Sequence, residues 1–167
     1  MTRAAFGSLP LARLVEVHGD ALVSTHAQHG DATALVESTR IVELMAFLRD
    51  DEQVSFEMLV DLCAVDHLGE EPRFEVVYHL YSVSKNHRLR VKARVSEVSC
   101  AIDSVSSVWP SANWMEREAW DLYGIRFTGH PDLRRLLLNE EFEGHPLRKD
   151  YPKEGRQLLV GTERGER

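Results

Sequence analysis

The feature that most constrains the fold of this chain is a short charged and aromatic run at 116–124. Asn113 stands where it can cap a helix, and Glu116 is spaced to reach back to it. Gly124 stands where a left-handed residue would end the helix. The sequence therefore predicts a short helix over 114–123 with a dense charged face.

The segment after this helix is punctuated by proline and glycine. The triplet Gly-His-Pro occurs at 129–131 and again at 144–146, and another proline lies at 152. Because proline cannot continue a helix, we predict an ordered but irregular extension from 129 onward. This Arg-rich extension has too few evident partners in its own chain to be explained by self-packing, which indicates a subunit of a larger assembly.

Length and composition favour one globular domain. The chain has 167 residues, of which 43 % are hydrophobic and 28 % are charged, which is ordinary for a folded domain. No apolar run approaches the ~20 residues of a membrane-spanning helix. The first 14 residues resemble neither a secretory signal nor a transit peptide, so we expect a cytoplasmic protein.

Charge is distributed unevenly along the chain. The net charge is -7, which argues against general affinity for nucleic acid. Residues 1–125 carry 11 basic and 19 acidic residues, whereas residues 126–167 carry 9 basic and 8 acidic ones. This asymmetry fits an extension that lies across an acidic partner surface, although a solvated tail would have a similar composition.

Hydrophobic periodicity predicts an α+β fold, in which a two-layer α/β domain has a mixed sheet with helices packed on it, followed by an extended irregular C-terminal tail. We place the globular domain at 1–128 and the extended tail, which we expect to clasp a partner, at 129–167. The predicted helices are 9–17, a helix capped by Ser38 or Thr39 and running to 48, a helical turn at 56–62, a short helix at 102–108, and 114–123. The predicted strands are 21–27, 32–36, an apolar stretch at 62–65, 74–83 and 89–95, the last two joined as a hairpin.

Two carboxylates and a histidine are the strongest candidates for chemistry. Glu118 and Asp121 lie three positions apart on the predicted helix, as a metal site or an acid–base pair requires. A small metal-dependent enzyme using these two residues with His130 is therefore one alternative. The favoured interpretation is an ion-pair network in which nearby arginines neutralise both acids; these arginines are Arg117, Arg126, Arg134 and Arg135.

The remaining histidines and the cysteines give weaker signals. His130 and His145 each lie between glycine and proline and are interpreted as turn or packing residues. His26 and His29 form an HxxH pattern that we place on the surface. Cys63 and Cys100 are too few for a four-thiolate cluster, so no metal site is predicted, and we expect both thiols to be buried. No catalytic constellation is evident.

The run 116–124, with His130 six residues beyond Tyr123 and Arg134 shortly after, is similar to the signature of the 30 kDa subunit family of the proton-pumping NADH:quinone oxidoreductase, complex I. Residues 144–152 resemble that family's next landmark. The resemblance implies a non-catalytic accessory subunit of the hydrophilic arm that docks on and stabilises the large quinone-site subunit of the complex. It implies the following interface residues: Glu116, Arg117, Glu118, Asp121, Tyr123, His130, Arg134, Arg135, His145, Arg148, Lys149 and Tyr151.

The same resemblance implies which molecules the chain meets. Its partners would be the quinone-site subunit and neighbouring iron-sulfur subunits, on the cytoplasmic side of the bacterial inner membrane, with the membrane contacted only through the complex. NAD, FMN, iron-sulfur clusters and quinone would belong to the partner subunits, and this chain would bind no cofactor. The equivalent subunit of a membrane-bound hydrogenase or of a ferredoxin-dependent relative is a second alternative.

Overall fold

A mixed five-stranded sheet organises the chain in the computed structural model, which describes residues 9–154. The strand order is β1-β2-β5-β4-β3, and β2 and β5 pair in parallel while the other pairs are antiparallel. A second, two-stranded sheet joins β6 and β7 in parallel. The strands are β1 Leu22–His26, β2 Thr33–Val36, β3 Met58–Asp66, β4 Phe74–Ser82, β5 His87–Val95, β6 Ala101–Asp103 and β7 Arg126–Thr128.

Three α-helices pack with this sheet around one core. They are α1 Leu9–His18, α2 Ile41–Asp50 and α3 Ala112–Tyr123. α2 buries Ile41, Leu44, Met45 and Leu48, the helical stripe that its sequence predicts. The predicted two-layer α/β fold is confirmed. Within residues 9–154, every helix is too short or too polar to cross a membrane.

The β4–β5 hairpin forms because each strand has one consistently apolar face. In β5, Leu89, Val91 and Ala93 are buried, whereas the intervening basic residues lie on the opposite face. β4 ends at Ser82 and β5 begins at His87, with Asn86 at a positive φ of 53° in the connecting turn. The predicted hairpin is confirmed.

Several predicted elements are wrong. The helical turn expected at 56–62 is instead part of the nine-residue strand β3, because its apolar residues pair with β4. The helix expected at 102–108 is instead β6 followed by turns, since Ile102 pairs with Phe127 of β7. In both places a partner distant in sequence overrides the local pattern.

The helix starts also differ from expectation. Ser38 and Thr39 lie in a 3-10 turn, and the residue before α2 is Arg40, which makes no side-chain cap. α3 begins at Ala112, so Asn113 lies inside the helix. The end of α3 is as predicted, because Gly124 follows with φ 76° in the left-handed region.

Residues 129–154 contain no regular helix or strand, as the sequence predicts. Much of this segment is hydrogen-bonded to the body of the protein, and we call residues 129–151 the strap. Residues 155–167 of the predicted tail lie outside the described part of the chain. The division into a domain at 1–128 and a tail at 129–167 stays a prediction.

Candidate functional site

Asp121, near the end of α3, is the central anchor of the strap. Its side chain is completely buried. One carboxylate oxygen, Oδ2, accepts backbone N–H bonds from three successive strap residues, at 3.0, 2.8 and 3.0 Å, namely Leu136, Leu137 and Leu138. The other, Oδ1, accepts a hydrogen bond of 2.6 Å from Arg135. Desolvation opposes the charge, but these hydrogen bonds outweigh it and lower the pKa of Asp121.

Arg135 ties the two halves of the strap together. Besides its contact with Asp121, its guanidinium donates to the carbonyls of Phe142 and Gly144 at 2.7 and 3.2 Å. It also lies 5.8 Å from the ring centre of Trp120 and 5.7 Å from that of Phe142. Its donors are therefore used to fix the strap's own path.

Arg117 holds the strap from the middle of α3. Its Nε donates to the carbonyl of Arg134 at 3.1 Å, and its Nη2 donates to that of Arg135 at 2.9 Å. The guanidinium lies 5.2 Å from the ring centre of Trp114, which is 61 % exposed. Arg117 therefore fixes both the strap and one side of an exposed aromatic residue.

Glu116 is a second buried carboxyl on α3, and it faces the β6 side. It accepts hydrogen bonds from the Ser104 hydroxyl at 2.5 Å and from the Val105 backbone N–H at 2.7 Å. Burial raises the pKa of Glu116 to about 7, against the opposing effect of these hydrogen bonds. His130 Nε2 lies 4.0 Å away and bonds the carbonyl of Asn113.

The second Gly-His-Pro triplet is packed against the end of α3. His145 Nδ1 donates to the carbonyl of Asp121 at 2.9 Å, and Arg148 Nε donates to that of Tyr123 at 2.6 Å. A Cβ on Gly124 would lie 2.5 Å from the His145 ring and 2.6 Å from the Arg148 guanidinium. Glycine is thus required here for close approach as well as for its positive φ.

Arg73 anchors the far end of the strap. This guanidinium, 1 % exposed, forms a bidentate pair with Asp66 at 2.9 and 2.8 Å and another with Asp150 at 3.0 and 2.8 Å. Glu97 accepts a further bond of 2.6 Å from Arg73, and the Lys149 backbone N–H donates to Asp66 at 2.8 Å. Sequence reasoning missed Arg73 and Asp66. The available signal was a lone charge at the end of each apolar strand.

These contacts correct the expectation that the extension has too few partners in its own chain. Six of the proposed interface residues use polar side-chain groups for internal contacts: Glu116, Arg117, Asp121, His130, Arg135 and His145. Arg148 does the same through Tyr123. Glu118, Arg134 and Lys149 are exposed, while Tyr123 and Tyr151 are half-buried.

The predicted ion-pair network is only partly present. Arg135 pairs with Asp121, but Arg117 bonds carbonyl groups and Arg134 pairs with Asp132 at 2.9 Å. Glu118 makes no ion pair within the described residues. Glu118, Asp121 and His130 do not form a metal-ligating group within residues 9–154. The interpretation of His130 and His145 as packing residues is confirmed.

The cysteines differ from expectation. Cys63 is exposed, because it lies on the outer face of β3 and not in the core, so the prediction of a buried thiol is wrong. Cys100 is half-buried and donates from Sγ to the carbonyl of Gly124 at 3.3 Å. His26 and His29 are exposed, as predicted.

Comparison with known proteins identifies the family. The profile of the respiratory-chain NADH dehydrogenase 30 Kd subunit matches residues 34–157. The chain is 54 % identical over 136 residues to the C-type subunit of NADH-quinone oxidoreductase from Hyphomonas neptunium, covering 81 % of this chain and 67 % of the relative. It is 50 % identical over 142 residues to the same subunit from Roseiflexus castenholzii, covering 85 % and 82 %.

Solved structures agree with this assignment. A trypsin-resistant fragment of Nqo5 superposes with a TM-score of 0.66 at 31 % identity, covering 75 % of this chain and all of that one. A chain of an archaeal membrane-bound sulfane sulfur reductase shares the fold, with a TM-score of 0.72 at 21 % identity, covering 86 % and 84 % of the two chains. The strap anchored by Asp121 and Arg73 thus occurs in a chain that belongs to the 30 kDa subunit family of respiratory-chain NADH dehydrogenase, the NADH-quinone oxidoreductase.

Proposed function

We propose that this chain is a non-catalytic subunit of the hydrophilic arm of complex I, where it docks on and stabilises the quinone-site subunit. NADH-to-quinone electron transfer, coupled to proton translocation, would then proceed in the partner subunits. The family assignment supports the complex. The internal anchoring of the strap supports a structural role for its polar residues, since their hydrogen-bonding groups already serve the fold.

The observation that carries the docking proposal is a set of exposed apolar side chains beside the buried anchors. Trp114, Leu137 and Leu147 are 61 %, 60 % and 50 % exposed. Trp114 packs against the buried Arg117, and the backbone N–H of Leu137 is fixed by Asp121. Large side chains held on a rigid backbone lose little entropy on binding and are typical of interface hot spots.

This arrangement divides the predicted interface residues by role. The inward-facing residues shape the strap, and the outward-facing Glu118, Arg134 and Lys149 surround the apolar side chains with charge. An apolar centre within a charged rim is the usual anatomy of a protein interface. We therefore propose that the quinone-site subunit contacts Trp114, Leu137 and Leu147 directly, with neighbouring iron-sulfur subunits completing the contact.

The proposal also covers cofactors and location. NAD, FMN, iron-sulfur clusters and quinone are assigned to the partner subunits, and the chain itself takes no part in redox chemistry. Its place is the cytoplasmic side of the bacterial inner membrane, reached through the complex.

The test is recovery of the complex from cells in which a tagged form of this chain replaces the native copy. Leu137→Asp should reduce both the amount of quinone-site subunit recovered with the tag and membrane NADH:quinone reductase activity, by about 10-fold if the site is a hot spot. Val98→Asp is the matched control, because Val98 is 94 % exposed and lies away from the strap.

Equal recovery of the quinone-site subunit with both variants would contradict the docking proposal. Co-purification of a nickel-bearing large subunit, or of a ferredoxin-oxidising module, in place of an NADH-oxidising module would instead identify the hydrogenase-type or ferredoxin-dependent relative.

A further inference from the structure

The outer face of the edge strand β3 carries a group of side chains that the strap does not use. A β-bulge shifts the register between Leu59 and Asp61. As a result Leu59 and Leu62 both face the core, at 3 % and 5 % exposure, while Asp61 and Cys63 share the outer face. Bulges re-aim side chains in this way and are frequent beside functional sites.

His79 of β4 completes the group. It is the cross-strand partner of Asp61, with Cys63 two positions further along β3. A carboxylate oxygen of Asp61, the Cys63 sulfur and a His79 ring nitrogen all lie within 4.8 Å of one another. Neighbouring antiparallel strands thus bring together three different ligand atoms on one exposed surface.

These three side chains are not engaged elsewhere. Within residues 9–154, Asp61, Cys63 and His79 make no hydrogen bond or ion pair through their side chains. On the same sheet face, by contrast, Glu75 is paired with Lys92 at 2.8 Å and with Arg94 at 3.1 Å. The charged residues around the group are satisfied, while its potential ligand atoms remain available.

We propose that Asp61, Cys63 and His79 form a Zn²⁺ site, with a water molecule or a partner residue as the fourth ligand. Oxygen, sulfur and imidazole nitrogen are all ligands that Zn²⁺ accepts. Metal–ligand lengths of about 2.0 to 2.3 Å place tetrahedral ligands roughly 3.3 to 3.8 Å apart. Side-chain rotations that move the ligand atoms by about 1 Å therefore close the site.

The protonation states are compatible with binding. Desolvation lowers the pKa of His79, so its imidazole is neutral and able to coordinate at neutral pH. Desolvation and the Asp61 carboxylate raise the pKa of Cys63, so the free thiol keeps its proton. When the sulfur–zinc bond forms, that proton leaves to solvent and the thiolate electron pair coordinates the metal.

The charges around the site are mixed. Asp61 and the Cys63 thiolate together balance Zn²⁺, and Glu118 adds negative charge near the sulfur. Arg88, Arg90 and Lys92 oppose a cation. Arg90 lies 3.6 Å from Asp31, and Lys92 is paired with Glu75, which reduces their effect.

The test is Co²⁺ and Zn²⁺ titration of the purified full-length chain, reduced and free of metal. Co²⁺ should give the thiolate-to-cobalt charge-transfer band in the near ultraviolet and the visible bands of a tetrahedral ion, and Zn²⁺ should displace it. Cys63→Ser should abolish the charge-transfer band. His79→Asn should weaken Zn²⁺ binding by about 100-fold, at least the upper effect of losing an outer-shell partner.

Cys100→Ser is the matched control, since it removes the other thiol of the chain and should leave the titration unchanged. Circular dichroism of each variant establishes that the fold is kept. Absence of the charge-transfer band at saturating Co²⁺, or Zn²⁺ affinity that is the same in the parent chain and in His79→Asn, would overturn the proposal.

Discussion

The guanidinium of Arg73 and the carboxylate of Asp150 form a two-fold hydrogen-bonded pair at 2.8 and 3.0 Å, although 77 positions separate them. Arg73 is buried and also pairs with Asp66 at the end of β3. A single side chain thus connects two neighbouring strands to the end of the strap.

Replacing Arg73 should destabilise the protein far more than replacing Asp150. Arg73→Gln leaves the buried Asp66 carboxylate without its charged partner, and the free energy of unfolding should fall by about 3 to 5 kcal/mol. Asp150→Asn removes a half-exposed partner and should cost about 1 kcal/mol or less. Urea unfolding of the full-length variants measures both values. Similar losses in the two variants would contradict this account of the contact.

Asp121 should matter to stability, whereas Glu118 on the same helix should not. Asp121→Asn puts an amide where Arg135 or three backbone N–H groups need an acceptor, so we expect a loss of about 3 to 5 kcal/mol. Glu118→Gln is exposed and should change the free energy of unfolding by about 0.5 kcal/mol or less. Chemical denaturation of both variants at pH 7 provides the comparison. An Asp121→Asn variant as stable as Glu118→Gln would show that the carboxylate is not the anchor.

Glu116 should make stability depend on pH. Its pKa rises from 4.5 to about 7 on folding, so between these pH values the folded state holds a proton that the unfolded state has released. Stability from this group is therefore present below about pH 4.5 and is lost as pH rises toward 7, by about 3 kcal/mol in total.

Glu116→Gln should remove this dependence, since glutamine can still accept the bond from Val105. The difference in unfolding free energy between parent and variant, measured from pH 4.5 to 8, should change by that amount in favour of the variant. His130 is the titratable neighbour, at 4.0 Å, so His130→Gln should be measured in parallel and should retain the dependence. A difference between parent and Glu116→Gln that stays constant with pH would show that the carboxyl is charged throughout.

Gly124 should tolerate no side chain, unlike Gly19. Gly124→Ala combines a positive φ with contacts of 2.5 and 2.6 Å to the strap, and should cost more than about 1 kcal/mol. It should also speed protease cleavage within 129–151, because the close packing of His145 and Arg148 is lost. Gly19→Ala has no atom within 4 Å of the added Cβ and serves as the control. Limited proteolysis that proceeds equally in the two variants would contradict the predicted loosening.

Local sequence patterns predicted the elements whose residues carry their own periodicity. α2 and the β4–β5 hairpin are of this kind, as is the left-handed end of α3 at Gly124. β6 was not predicted because its partner strand β7 lies far along the chain, and an apolar stretch such as Ile102–Val108 fits a helix equally well by itself.

The candidate site was predicted in its residues but not in its contacts. The run 116–124 and the two Gly-His-Pro triplets do contain the groups that matter, including Asp121 and His145. Their partners could not be predicted, since a carboxylate that accepts three N–H bonds from 136–138 has the same local sequence as one that faces solvent. Arg73 was missed because its role depends on Asp66 and Asp150 together.

The parallel pairing of β2 with β5 has a consequence for the order of folding. Thr33 aligns with Arg90, so β2 cannot join the sheet until the chain is complete through β5. The β1–β2 hairpin is only marginally stable alone, whereas β3, β4 and β5 follow one another and form by short-range contacts. We expect pulse-labelled amide hydrogens to be protected in β4 and β5 before those of β1 and β2. The strands synthesised first would then be the last to be incorporated, and the sheet would grow back toward its N-terminal edge.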